Sequence, residues 1–204
     1  MIYVSNVKTL PPEIYKTPLQ SLIYQTLELL DLSFERVDTD EAISIEDCAA
    51  INKRLDVKIV KTLFLCNRQQ TSFYLFVTKG DKPFSSKAFS QALGVSRVSF
   101  APVERMEAML GTKVGAATVF SALWDKGNDV QMVFDEDVLA EEWYGCSDGT
   151  TTGYMKIRTE AIVRDFLPFA NHRILVIGGQ FPPGVVSMDE SKEMRGEGNS
   201  SGGP

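Results

Sequence analysis

Val60-Lys61-Thr62-Leu63-Phe64-Leu65-Cys66-Asn67 is followed by Arg68-Gln69-Gln70-Thr71 and then by Phe73-Tyr74-Leu75-Phe76-Val77-Thr78. Two apolar runs rich in aromatic and branched residues flank a short polar segment, the pattern of a β-hairpin. Strands are expected at 62–66 and 73–78, with 67–71 as the turn. Lys61 stands at the mouth of the first run. A charge there costs free energy unless it meets a partner or a ligand. Lysine is a compact donor suited to a phosphate or an ester carbonyl. The plainer alternative is a strand-end lysine whose stem snorkels to water.

Working outward, Thr17-Pro18-Leu19-Gln20 reads as a helix start, with Thr as N-cap, Pro at the first position and Gln closing a capping box. Leu19, Leu22, Ile23, Leu27 and Leu30 keep helical spacing. A short strand is expected at 34–37 and a second helix from Ser44 to about Leu55. Beyond the hairpin, Ser85 or Ser86 caps a helix that Gly94 ends, and Gly111 stops another over 103–110. The pattern places strands at 98–100, 120–123, 130–134, 154–157 and 174–177. It places helices at 135–143 and 159–167. Helices and short strands alternate without strict βαβ order. That favours a mixed α/β (α+β) fold with a mostly antiparallel or mixed sheet flanked by helices. Residues 1–16 are expected to be irregular and 17–177 to form one domain. The Gly/Ser/Pro-rich stretch 178–204 is expected to be a disordered tail.

The bulk composition narrows the function classes. The 204 residues suit a single domain with its own core. No apolar run approaches the ~20 residues of a membrane span, and no secretory signal is visible at the N-terminus. Cys48, Cys66 and Cys146 are few and far apart, which argues against a disulfide framework and for a reducing cytoplasm. A net charge of −6 disfavours a long footprint on DNA. It is compatible with gripping only the end of an RNA. Lys53, Arg54, Lys58 and Lys61 form a local basic cluster, either a solvated helix end or part of such a grip.

HExxH, P-loop and GxSxG signatures are missing. The single histidine, His172, reads as a surface or cap residue. No group of His, Cys or carboxylates has metal-ligand spacing, so no metal and no cofactor are expected. Two small-residue loops remain. Gly111-Thr112-Lys113-Val114-Gly115-Ala116-Ala117-Thr118 brings a glycine that lets main chain approach a ligand. Its N–H groups can stabilise an oxyanion, or the loop is an ordinary turn. Gly145-Cys146-Ser147-Asp148-Gly149-Thr150-Thr151-Thr152-Gly153 is the second. Ser147 can hold a water and Asp148 can act as a weak base if its pKa is raised. Asp-Gly chemistry also makes a plain turn.

In order and spacing these pieces resemble the YbaK/prolyl-tRNA-synthetase editing-domain family, most of all its free-standing ProX/PrdX-like branch. The resemblance runs from about Leu19 to Ile177. Lys61–Asn67, Gly80-Asp81-Lys82-Pro83-Phe84, Leu93–Phe100 and Val130–Leu139 carry it. It implies a trans-editing aminoacyl-tRNA deacylase acting on mischarged tRNA at its acceptor end, with Ala-tRNA(Pro) first among substrates. Esters of Cys, Ser or Thr, or a non-catalytic module that binds tRNA or a synthetase, are the alternatives. Prolyl-tRNA synthetase is a further implied partner. The resemblance assigns Lys61 and Gly115 to catalysis. It assigns Ala116, Ala117, Thr118, Ser147, Asp148 and Thr151 to substrate binding. Relatives commonly carry His-Pro where this chain has Ser147-Asp148, and proline where it has Val119.

Overall fold

The computed structural model describes residues 2–42, 45–178 and 186–187. The hairpin forms as β2 (Val60–Asn67) and β3 (Phe73–Lys79), antiparallel, with Lys61 opposite Thr78. Asn67 shapes the turn, its side-chain oxygen accepting from the N–H of Thr71 at 2.9 Å and of Ser72 at 3.2 Å. The remaining strands are β1 (Phe34–Asp38), β4 (Val98–Phe100), β5 (Val130–Asp135), β6 (Trp143–Ser147), β7 (Gly153–Arg158), β8 (Ile174–Ile177) and β9 (Val186–Ser187).

They form two sheets where the sequence pattern suggests one. The larger runs β4-β2-β3-β5-β8-β9 and the smaller β1-β7-β6. Pairings β3/β5 and β5/β8 are parallel and the others antiparallel. The sheets are therefore mixed and mostly antiparallel, as expected. Side chains alternate along β2. Phe64 and Cys66 enter the main core between the sheets, while Leu65 faces a second core under α3 (Ser86–Leu93).

Helix α1 (Pro18–Leu29) closes the main core with Leu19, Ile23 and Leu27. Its start follows the sequence: Thr17 Oγ1 accepts from Gln20 N at 3.0 Å. Gln20 Oε1 accepts from the N–H of Lys16 at 2.7 Å, one residue before the N-cap. Helix α2 (Ile45–Leu55) covers the outer face of the small sheet, packing Ile51 and Leu55 on Val37 and Tyr154. Gly94 and Gly111 end α3 and α4 (Val103–Leu110) with φ +65°. The expected start of the second helix at Ser44 lies outside the described residues. Residues 2–16 have no regular element, yet bridges Val4–Thr39 and Lys8–Arg36 dock them on β1.

Three elements depart from expectation. Val119–Leu123 is a 3-10 turn rather than a strand, and all five of its residues are buried. A short, wholly apolar run carries no periodicity to separate the two. The helix expected over 135–143 is one turn, α5 (Glu136–Leu139), capped by Asp135 and followed by β6. β6 is hidden in sequence because Gly145 and Ser147 read as loop. Gly145 is required in the strand: a Cβ would lie 2.8 Å from Val57 Cγ1 and 3.0 Å from Lys58 O. The last helix continues further than expected, as α6 (Thr159–Ala161), a π turn (Ile162–Phe166) and α7 (Leu167–Phe169). Within the stretch 178–204, Gly178 and β9 are described, and β9 pairs with β8. The rest lies outside the described residues.

Candidate active site

A cleft of about 390 Å³ lies where α2, the start of β2 and both small-residue loops converge. Lys61, Gly115, Ala117 and Ser147 line it. Ala116, Thr118, Asp148 and Thr151 do not.

Lys61 is partly buried on β2. Its Nζ donates to the main-chain carbonyl of Lys82, in the connection between β3 and α3. An ammonium has three donors, so this bond orients the group and leaves capacity for a ligand. Lys82 is itself anchored. Its Nζ lies 2.6 Å from Asp135 Oδ2 and 3.0 Å from Asp137 Oδ2. Burial disfavours the Lys82 charge, but those hydrogen bonds outweigh it and raise its pKa. Thr78 Oγ1 also donates to Asp135, at 2.8 Å.

Across the cleft, Gly115 has φ +86°, which glycine adopts without strain. The Ala116 N–H donates to Lys113 O at 3.0 Å. The N–H groups of Gly115 and Ala117 have no partner among the described residues. Ala116 is buried beneath them, and its carbonyl accepts from Thr112 Oγ1 at 3.2 Å. Thr118 is buried beside Cys146 under the cleft, and burial pushes that thiol well up.

The second loop is built on Asp148, which is fully buried. Its carboxylate accepts from Gln20 Nε2 at 2.7 Å, Tyr24 OH at 3.1 Å, Thr150 Oγ1 at 2.7 Å and Thr150 N at 3.2 Å. Burial raises its pKa against the pull of those bonds. Asp148 thus clamps the loop to α1 and is not among the residues of the cleft wall, where contact with substrate was expected. Ser147 does border the cleft, but its hydroxyl is engaged. It donates to Thr150 O at 2.8 Å and accepts from Gly149 N at 3.0 Å. Thr151 Oγ1 donates to Glu41 Oε1 at 3.0 Å, and Lys113 Nζ reaches the same oxygen at 3.1 Å. Thr151 therefore ties the two loops together instead of lining the cavity.

Sequence reasoning missed Cys48, Asn52, Asp81 and Tyr154, all in the cleft wall. Cys48 and Asn52 stand four apart, one helical turn. That spacing was the available signal once α2 was recognised. Burial and Asp47 raise the Cys48 thiol, which keeps it protonated. His172 is buried rather than superficial, with Nε2 3.1 Å from Asp125 Oδ2 and Nδ1 2.7 Å from Ala170 O. It takes no part in the cleft. Among the described residues no group of three His, Cys, Asp or Glu could hold a metal ion. No described helix is long and apolar enough to cross a membrane.

Comparison with known proteins fits this geometry. The family model described as the aminoacyl-tRNA editing domain matches residues 39–164. The chain belongs to this family. The matched range holds every residue of the cleft wall. The editing domain is 28% identical over 113 residues to the prolyl-tRNA editing protein ProX of Acetoanaerobium sticklandii, covering 55% of this chain and 69% of that protein. Its fold resembles a solved structure reported as a candidate trans-editing enzyme for prolyl-tRNA synthetase. That match has a TM-score of 0.57 and 15% identity, over 80% of this chain and 98% of the other. A scaffold for computational epitope grafting has a TM-score of 0.59 and 14% identity, over 81% and 99%. The editing domain is an aminoacyl-tRNA deacylase, an ester hydrolase.

Proposed function

We propose that this deacylase removes alanine wrongly esterified to proline tRNA, acting in trans on the acceptor end. The observation that carries the reading is a small cleft with one oriented ammonium, Lys61, and two main-chain N–H groups, at Gly115 and Ala117, that have no partner among the described residues. The N–H groups suit the oxyanion that forms at an ester carbonyl, and the ammonium suits a phosphate or ribose oxygen. Small residues (Ala42, Ala49, Gly115, Ala117) line much of the wall. A synthetase pocket built for proline discriminates against a smaller amino acid by only ~1–3 kcal/mol. A second, smaller site corrects the error by excluding proline on size.

In the reaction, water adds to the ester carbonyl and the carbonyl–ribose C–O bond breaks. The ribose oxygen takes up a proton and free amino acid leaves. No histidine lines the cleft. Lys61 holds the terminal phosphate or ribose, and the neighbouring ribose hydroxyl of the substrate assists the water. The Gly115 loop holds the carbonyl or the ammonium group. Prolyl-tRNA synthetase is the natural partner of such an activity.

A second reading keeps the chemistry and changes the amino acid to Cys, Ser or Thr. Asn52 favours it. Its Oδ1 accepts from Ile59 N at 2.9 Å, while its amide N–H groups have no partner among the described residues. A deacylation panel of purified protein against Ala-, Cys-, Ser-, Thr- and Pro-tRNA separates the readings. The proposal expects Ala-tRNA(Pro) to be hydrolysed fastest and Pro-tRNA(Pro) to be spared. Preference for a polar amino acid would install the second reading.

A further inference from the structure

With the cleft read as the aminoacyl site, we propose that Asp81 receives the α-ammonium of the amino acid that is removed. An aminoacyl ester differs from an ordinary ester in carrying this cation beside its carbonyl, since an α-amine is mostly protonated near neutral pH. Lys58 and Lys61 both line the cleft. A third positive charge enters against their repulsion unless an anion faces it. Asp81 is the one carboxylate among the described residues of the wall.

That carboxylate is also unengaged. Asp81 is exposed, and it makes no hydrogen bond and no ion pair among the described residues. The lysines beside it in sequence are taken. Lys79 lies 2.7 Å from Glu141 Oε1, and Lys82 is held by Asp135 and Asp137. Neutral oxygens of the wall are engaged as well. Asn52 Oδ1 accepts from Ile59 N, while the hydroxyls of Ser147 and Tyr154 donate to Thr150 O and Ala42 O. An incoming ammonium therefore finds one free anionic acceptor.

The backbone that carries Asp81 is fixed on both sides. Gly80 lies so close to the chain entering β2 that a Cβ there would sit 2.6 Å from Ile59 O. The Lys82 N–H donates to Lys79 O at 3.1 Å, and the Lys82 carbonyl accepts from Lys61 Nζ. The turn that orients Lys61 thus also presents Asp81. A group held on fixed backbone loses little freedom when it binds. One corner of the cleft supplies a cation for the phosphate or ribose and an anion for the amino group. The Gly115 loop opposite is left to the carbonyl.

The test compares Ala-tRNA(Pro) with lactyl-tRNA(Pro), in which a hydroxyl replaces the α-ammonium and the ester is otherwise the same. Wild type and Asp81→Asn are assayed on both. The ratio of kcat/KM on the alanyl ester to that on the lactyl ester should fall about tenfold in the variant, through KM, the scale of one charge-assisted hydrogen bond lost at a partly screened site. A general loss of structure would lower both rates and leave the ratio where it was. An unchanged ratio would overturn the assignment, whether both rates fall together or neither does. A wild-type protein inert on both esters would overturn the cleft reading instead. In that case titration with the stable amides of 3′-amino-3′-deoxyadenosine, one with alanine and one with lactate, still decides the role of Asp81. Selective weakening of the alanine amide in Asp81→Asn supports it. Equal weakening of both, no weakening, or no binding of either overturns it.

Discussion

At the scale of single residues, Lys61 and Asp148 show what a sequence exposes and what it hides. Lys61 breaks an apolar strand, so its chemistry is visible in one dimension. Lys61→Ala removes a donor aimed at the substrate, and loss of one such donor costs about 10²–10³ in rate. Among the described residues its side chain bonds only the Lys82 carbonyl, so melting temperature should stay within a few degrees. A variant that keeps full activity, or that unfolds, contradicts the role. Asp148 is different because its partners Gln20 and Tyr24 lie 128 and 124 residues away in sequence. Only the fold shows that a turn-like Asp-Gly is a buried clamp. Burial raises its pKa above 3.8. Folding then favours the protonated form. That contribution to stability is complete below the unfolded value and is lost as pH rises through the folded one. Wild type should therefore lose stability relative to Asp148→Asn as pH climbs from 3.8. Thermal melts of both proteins from pH 3 to 7 check this, and a constant difference would count against it.

At the scale of elements, the site depends on two supports. The first is the β6–β7 hairpin, whose return at Gly153 touches Asp148. A Cβ at Gly153 would lie 2.2 Å from Asp148 Oδ2. Gly153→Ala should cost about 1–3 kcal/mol by overpacking, measured as a lowered denaturant midpoint. The same crowding argues against placing a large ring next door. Ser147 is 5% exposed and its hydroxyl holds the turn. Ser147→His should therefore lower stability before it retunes the substrate. The second support is the connection after β3, held by Lys82 on Asp135. Asp135→Asn weakens that anchor, and with it the carbonyl that orients Lys61. About a tenfold loss in kcat, with KM changing less, is the expected kinetic signature. A change confined to KM would place the effect elsewhere. The β2–β3 hairpin was legible because its alternation and turn residues are local. β6 was not, because a glycine and a serine hold strand positions through contacts with Val57 and the neighbouring loop.

At the scale of the whole molecule, two sheets enclose one core and present their shared edge region as the cleft. Alternating helices and strands disclosed the α+β class. The division into two sheets depends on long-range pairings such as Phe73 with Val130 and Phe34 with Ile157, which no local pattern encodes. We propose that residues 17–177 carry the fold and the activity. Ending the chain at Gly178 deletes the two-residue pairing of β9 with β8 and should leave melting temperature and deacylation near their full-length values. A large drop in either would show that the later segment packs. Whether this cleft removes a small amino acid from proline tRNA can be measured by single-turnover deacylation. Ala-tRNA(Pro) and Pro-tRNA(Pro) are each mixed with an excess of wild-type protein or Lys61→Ala. Wild type should release alanine fast and little proline, and the variant should lose alanine release almost completely. Equal release of both amino acids, or an unimpaired Lys61→Ala, would contradict it.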